Sequence, residues 1–249
     1  MTYINNRLKE IKQNGYQIDL GDLINESFES YKKIALLSGL AVLIVILTLL
    51  IVSVFGMSYF FDLENLSEET LKMDFSTFTP EQIALYFGGV SLLAIILTPF
   101  TAGLIKVAHD VETQDEISFS TIFECYKADY LKDLLLSALV ISLITSTITV
   151  GFQMINLDIV GSLLSYLIGF FTCLTVPLII FGRLSAMNAI ANSIMVVSKQ
   201  PLIIFLAILL ATIGSFIGLF AFCIGLFFTM PYLYCMYYSI YNRSVGFEK

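Results

Sequence analysis

Charge is what this sequence has least of. Only 13% of its residues are charged, against about 25% in an ordinary soluble domain. Apolar residues make up 57%. A chain of 249 residues cannot hide that much apolar surface in one water-facing core, so a bilayer is its natural solvent. Tryptophan is absent, and His109 is the single histidine. The cysteines, Cys125, Cys173, Cys223 and Cys235, form no CxxC pair. A metal site of the His/Cys type is therefore not expected, and the cysteines read as small apolar fillers. No Walker loop or dinucleotide fingerprint occurs. No basic stripe grips phosphates, so nucleic acid is not an expected partner. Residues 1–33 are polar and charged, so no cleavable signal peptide is expected, and no lipidation motif is seen.

Long apolar runs are what the chain does have. A membrane helix needs about 20 mostly apolar residues. Ile34–Phe55, Ile83–Ile105, Leu134–Val150 and Ile159–Gly182 satisfy this. Residues 201–241 are too long for one span; a break near Gly218–Gly225 divides them into Leu202–Ile217 and Leu226–Tyr241. The expected fold is an all-α integral membrane domain of six spans over residues 17–243, after a polar tail (1–16) and before a short tail (244–249). Lysine and arginine mark the cytoplasmic side. Twelve of the thirteen cations fall before Ile34, in the loop 106–133, in the segment 183–200 or after Tyr241; Lys72 alone is opposite. Both termini are thus expected in the cytoplasm, at the bacterial inner membrane.

A threefold recurrence runs through the chain. Each even-numbered span carries a proline (Pro99, Pro177, Pro231) with a threonine (Thr98, Thr175, Thr229) one or two residues before it. Each odd-numbered span follows an amphipathic stretch. These are Asp22–Lys33 with Leu23, Ile24, Phe28 and Tyr31; Ser118–Lys127 with Phe119, Ile122, Phe123 and Tyr126; and Met187–Lys199 with Ile190, Ile194 and Val197. Three tandem units of amphipathic helix plus hairpin are expected. Proline removes a backbone hydrogen bond, and the threonines are placed to satisfy the freed carbonyls. Three similar kinks follow; they are either packing features or the walls of a cavity open to the cytoplasm.

Small residues predict close helix packing: Gly161, Ser165, Gly169 and Cys173; Ala207, Ala211 and Ser215; Ser142, Thr145, Ser146 and Thr149. Tyr232, Tyr234, Tyr237, Tyr238 and Tyr241 read as an interfacial belt, with a ring-lined pocket as the other reading. The span cores hold no ionisable residue, which argues against a buried proton relay. The polar groups nearest the membrane are Lys106, His109, Asp110 and Glu112, with Arg183 at the matching end of the fourth span. His109 is a general-base candidate or simply a solvated helix end. Acidic residues Asp62, Glu64, Glu68, Glu69, Asp74 and Glu81 gather on the opposite side, as a tolerated charge run or a cation or partner site.

Some of these runs have a familiar form. Gly103-Leu104-Ile105-Lys106-Val107-Ala108 with Ile117-Ser118-Phe119, Val176-Pro177-Leu178-Ile179, and Gly214 through Gly225 to Pro231 resemble bacterial six-span membrane proteins. The family is that of the membrane domain found with glycerophosphoryl diester phosphodiesterases, and of related stand-alone proteins. The resemblance implies architecture rather than activity, because the family's hydrolase work belongs to a separate soluble domain. No catalytic residue carries over. The expectation is a non-enzymatic scaffold or accessory subunit with no cofactor, binding lipid in a cytoplasm-facing cavity. A protein partner on the amphipathic helices fits that role. A transporter or channel for a lipidic or amphipathic solute is the alternative, and an enzyme using His109 and Arg183 a third.

Overall fold

The computed structural model describes residues 2–60, 80–113, 117–220 and 224–247. Every element among them is helical: α1 Thr2–Asn14, α2 Leu20–Phe60, α3 Pro80–Thr113, α4 Phe119–Glu124, α5 Leu131–Gln153, α6 Asp158–Phe171, α7 Thr175–Ile180, α8 Ala186–Val197, α9 Pro201–Phe216, α10 Ile224–Thr229 and α11 Pro231–Ser244. A 3-10 turn, Ile217–Phe220, follows α9. Five helices are long and apolar enough to cross a membrane: Leu20–Ser53, Phe87–Thr113, Leu131–Gln153, Asp158–Ile180 and Pro201–Phe220. Each of the first five expected spans overlaps one of them, and Leu134–Val150 and Leu202–Ile217 lie wholly within theirs. The acidic side chains of 62–81, with Lys72 and Cys223, lie outside what is described.

The first amphipathic stretch is not a separate element. It runs without a break into the first span as α2, 41 residues long, because no glycine or proline occurs from Asp22 to Ser38. At 1.5 Å per residue α2 rises about 60 Å, twice the hydrocarbon thickness of about 30 Å. One narrow face is buried along it: Leu23, Ser27, Ser30, Ile34, Ser38 and Ala41, spaced by threes and fours as a helix requires. The other faces show Leu36, Leu40, Ile44, Leu47, Leu50, Ile51 and Val52 outward. A helix that turns so many large apolar side chains outward suits lipid rather than water.

Residues 1–16, expected as a polar tail, contain α1. Its Ile4, Leu8 and Ile11 are buried, and α1 packs on α8. Gly15 closes it in the left-handed region at φ +72°, where glycine meets no Cβ penalty. The face of α8 also differs from expectation. It buries Ala186, Ala189, Ser193, Val196 and Val197, and leaves Ile194 42% exposed. Of the expected Ile190, Ile194 and Val197, Val197 is on the buried face; the rest of it is made of smaller residues, Ala186, Ala189 and Ser193, with Val196.

The centre of the bundle is α11, packed on α2, α3 and α9. Tyr238 and Tyr241 are buried in it, and Tyr232, Tyr234 and Tyr237 pack partly against the core. Two of the five tyrosines therefore sit inside the protein. The two chain ends meet here: Arg7 donates to the Ser244 carbonyl at 3.1 Å. The other cation-bearing segments gather at the same end. Lys199 donates to the Lys12 carbonyl at 2.8 Å, and Asp133 accepts from the Ala186 N–H at 3.0 Å.

The small-residue stripes work at helix contacts. Ala207, Ala211 and Ser215 are buried. Thr149 and Ser165 share a hydrogen bond across α5 and α6 at 2.8 Å, and Ser91 and Ser146 do so across α3 and α5 at 2.9 Å. A Cβ on Gly161 would stand 2.8 Å from that of Phe152, so glycine sets how closely the α5–α6 hairpin closes.

Candidate functional site

The three prolines are not equivalent. Pro99 lies inside α3. Pro177 is the third residue of α7, after a break at Thr172–Leu174, and Pro231 opens α11. In the first turn of a helix a missing N–H is no loss, since those groups lack intrahelical partners anyway. Of these three prolines one lies in a continuous helix and two at restarts, where three kinks were expected. The threonines differ too. The Thr98 hydroxyl donates to the Ala94 carbonyl at 2.8 Å, one residue before the carbonyl of Ile95 that Pro99 leaves free. Thr175 Oγ1 is buried without a partner. Thr229 Oγ1 reaches across to the Ser215 carbonyl and also lies 3.2 Å from those of Gly225 and Leu226.

The polar groups Lys106, His109 and Arg183 each have partners of their own. Lys106 pairs with Glu124 of α4. Arg183 lies over the Tyr130 ring, 4.5 Å from its centroid, with its backbone at φ +52°. Burial pushes the Tyr130 hydroxyl above the usual phenol range and raises the neighbouring Cys125 thiol. His109 Nδ1 is 3.0 Å from Asp110 Oδ1. Its ring sits among Phe181, Tyr238 and Phe247, with centroids 5.0, 5.7 and 4.7 Å away. This is an aromatic cage around an imidazole. No group of three His, Cys, Asp or Glu able to hold a metal occurs among the described residues.

Two glutamates tie the ends of α2, α3 and α11 together. Glu112 accepts from Ser30 at 2.6 Å and from Tyr238 at 2.9 Å. Glu26 accepts from Asn242 at 2.7 Å and pairs with Arg243, which also reaches Asp22. Tyr241 is the exception in this cluster. It is fully buried, and its hydroxyl has no partner. A buried hydroxyl without a hydrogen bond costs roughly 1–3 kcal/mol. Tyr241→Phe is therefore expected to leave stability unchanged or raise it by about 1 kcal/mol. An unfolding titration in mixed micelles checks this, and a clear loss would show that the hydroxyl has a partner.

Near this cluster lies an apolar cleft between α2, α9 and α11, of about 480 Å³. Ile24, Phe28 and Tyr31 form one wall, Leu210, Ile213 and Ile217 another, with Thr229 and Tyr232 at the back. The rings make a triad: Tyr31 and Tyr232 are 5.5 Å apart, and Phe28 stands edge-on to Tyr232 at 6.3 Å. A Cβ on Gly214 would sit 3.0 Å from the Tyr232 ring, so this glycine keeps the cleft open. Phe28, Ile213 and Ile217 are exposed, so the cleft opens on the outer surface. Lys32 lies over the Phe28 ring at 5.4 Å and pairs with Glu29. A second hollow, about 300 Å³, runs between α3, α5 and α6, lined by hydroxyls of Ser91, Ser142, Thr145, Ser146, Ser162 and Ser165.

Sequence reasoning placed Phe28 and Tyr31 on an amphipathic face and Tyr232 in a belt, but not the three around one cleft. Nothing local signals that meeting, because it spans residues 24–232. The role of α1 had a readable sign: Ile4, Leu8 and Ile11 follow the helical spacing. No family model, curated protein or solved structure matches this chain.

Proposed function

We propose that the protein is a six-span inner-membrane protein in a scaffold or accessory role, and that it binds a lipid in the α2–α9–α11 cleft rather than carrying out a reaction. The observation that carries this is the cleft itself: apolar, ring-lined, open sideways among exposed apolar residues, with an ammonium at its edge. Such a site takes an acyl chain against the rings and a polar head beside Lys32. The sixth span is α10 and α11 together, Ile224 to Ser244, a rise of about 30 Å if helical throughout. Its hydroxyl-rich sequence fits a helix enclosed by its neighbours. Meeting termini and clustered cations support placing that end in the cytoplasm. The proline-bearing hairpins support a threefold repeat, and the quoted motifs support kinship with the phosphodiesterase-associated membrane domain.

Native mass spectrometry of the protein released from its own membrane tests the cleft. Wild type should retain lipid. Ile213→Trp, which fills the cleft from an exposed position, should lower that occupancy about tenfold, the loss of about 1.4 kcal/mol of binding. Undiminished lipid on the variant would rule out the cleft as the site.

The hydroxyl-lined hollow favours a second reading, passage of an amphipathic solute along α6. A second cavity of about 430 Å³ adjoins it at Ser165 and Tyr166. Flux of such a solute from loaded vesicles, above protein-free vesicles, would favour that reading; equal flux would remove it.

A further inference from the structure

A different cavity, of about 570 Å³, lies between α1 and α8. Asn5, Lys9, Lys12 and Asn192 supply its polar lining, and Leu8 and Met195 an apolar part. Its cations are unusual for this chain. The protein carries a net charge of −7, yet no acidic residue lines this cavity. Lys9, Lys12 and Lys199 form no ion pair among the described residues, whereas Arg7 takes up the nearby Glu10 at 2.8 Å. Lys199 is drawn into the same corner by its bond to the Lys12 carbonyl. Residues 184–200 contain no aspartate or glutamate. The corner is held in shape: Tyr16 donates to the Val196 carbonyl at 2.9 Å, and Gln200 to the Tyr16 carbonyl at 2.6 Å. Burial raises the Tyr16 hydroxyl above the ordinary phenol range, so it remains a donor.

The surroundings of the lysines indicate what kind of anion fits. On α8, Met187 and Ile194 are exposed beside the cavity-lining Ala191 and Met195. Three residues, 198–200, separate α8 from Pro201, where a membrane-spanning helix begins. The helix is therefore tethered at a membrane surface, with cations on one side of a strip of exposed apolar residues. We propose that this corner binds the phosphate of an anionic phospholipid, with Lys9 and Lys12 on the headgroup and the chains beside Met187 and Ile194. It is a second site, separate from the α2–α9–α11 cleft, and rests only on the membrane reading of the fold.

The test uses the full chain in nanodiscs of three kinds: phosphatidylcholine alone, phosphatidylcholine with phosphatidylglycerol, and phosphatidylcholine with inorganic phosphate in solution. An amine-reactive reagent labels the lysines, and mass spectrometry reads the rate at each. Phosphatidylglycerol should slow labelling of Lys9 and Lys12 about fivefold each, the effect of one lysine near an anionic surface. High salt should reverse the slowing. Lys127, in the loop before α5, provides the comparison and should slow less. A Lys9→Gln/Lys12→Gln variant should lose its preference for phosphatidylglycerol in native mass spectrometry while the cleft lipid stays bound. Equal rates in all three nanodiscs would overturn the proposal. So would protection by inorganic phosphate in phosphatidylcholine, which would mark a site for free anions. An unchanged phosphatidylglycerol preference in the double variant would do so as well.

Discussion

A single methyl group at Gly103 should destabilise this protein by about 3 kcal/mol. Gly103 lies on α3, one turn past Pro99, where α4 crosses it. A Cβ there would fall 2.6 Å from the carbonyl carbon of Ile122, 2.9 Å from its Cα, and closer still to its oxygen. All of these are backbone atoms, and Ile122 is fully buried, so nothing can rotate aside. The whole of α4 would have to lift away from α3. Other contacts would go with it: Phe123 against Phe100 at 5.9 Å, the Lys106–Glu124 ion pair, and the Tyr126 hydroxyl on the Ile96 carbonyl at 2.9 Å. That last bond lies beside the carbonyl Pro99 leaves free, so α4 braces the one proline that interrupts a continuous helix. Gly88 and Gly89, on the same helix, have open space where a Cβ would be. Alanine there should be neutral or stabilise by up to about 1 kcal/mol, since glycine is a poor helix former. Unfolding titrations in mixed micelles separate the three variants. A Gly103→Ala protein as stable as Gly88→Ala would mean that α4 does not pack on α3 in this way.

What the sequence revealed and what it hid divide along a physical line. The five long apolar helices were legible, because hydrophobicity over about 20 residues is a local property. So was the packing on Ala207, Ala211 and Ser215, since small residues at helical spacing leave one way for helices to approach. The continuity of α2 could also have been inferred, because nothing in Asp22–Lys33 ends a helix before Ile34. The fate of the prolines could not. Pro99, Pro177 and Pro231 have similar neighbours, yet one sits within a helix and two begin one. The difference comes from elements far along the chain: α4 supports Pro99, and α8 supports the break before Pro177. The same holds for polar contacts. Asp133 accepts from the first N–H of α8 at 3.0 Å, so one of the N–H groups that a helix start leaves unpaired is met from 53 residues away. The candidate cleft was hidden for the same reason, since its walls are assembled from three helices.

The break before Pro177 yields the second large effect. α6 ends at Phe171 and α7 begins at Thr175, so the turn between them leaves backbone groups without helical partners. Ser193 of α8 supplies two at once. Its hydroxyl donates to the Phe171 carbonyl at 2.8 Å and accepts from the Leu174 N–H at 3.1 Å. Ser193 is fully buried, as is Leu174, so water cannot replace it. Each group stranded in a dry site costs roughly 1–3 kcal/mol. Ser193→Ala should therefore lose about 3 kcal/mol, well above what one methyl-sized cavity costs, and amide exchange should speed up at Leu174 and along α7 and α8. Ser198→Ala is the contrast. That hydroxyl is exposed and bonds only the Ile194 carbonyl of its own helix, at 2.6 Å, so the change should stay within about 0.5 kcal/mol. If Ser193→Ala were as mild as Ser198→Ala, the break would be held by something other than α8. If exchange quickened only at α8 and not at Leu174, the serine would be a packing group rather than the clasp between two helices.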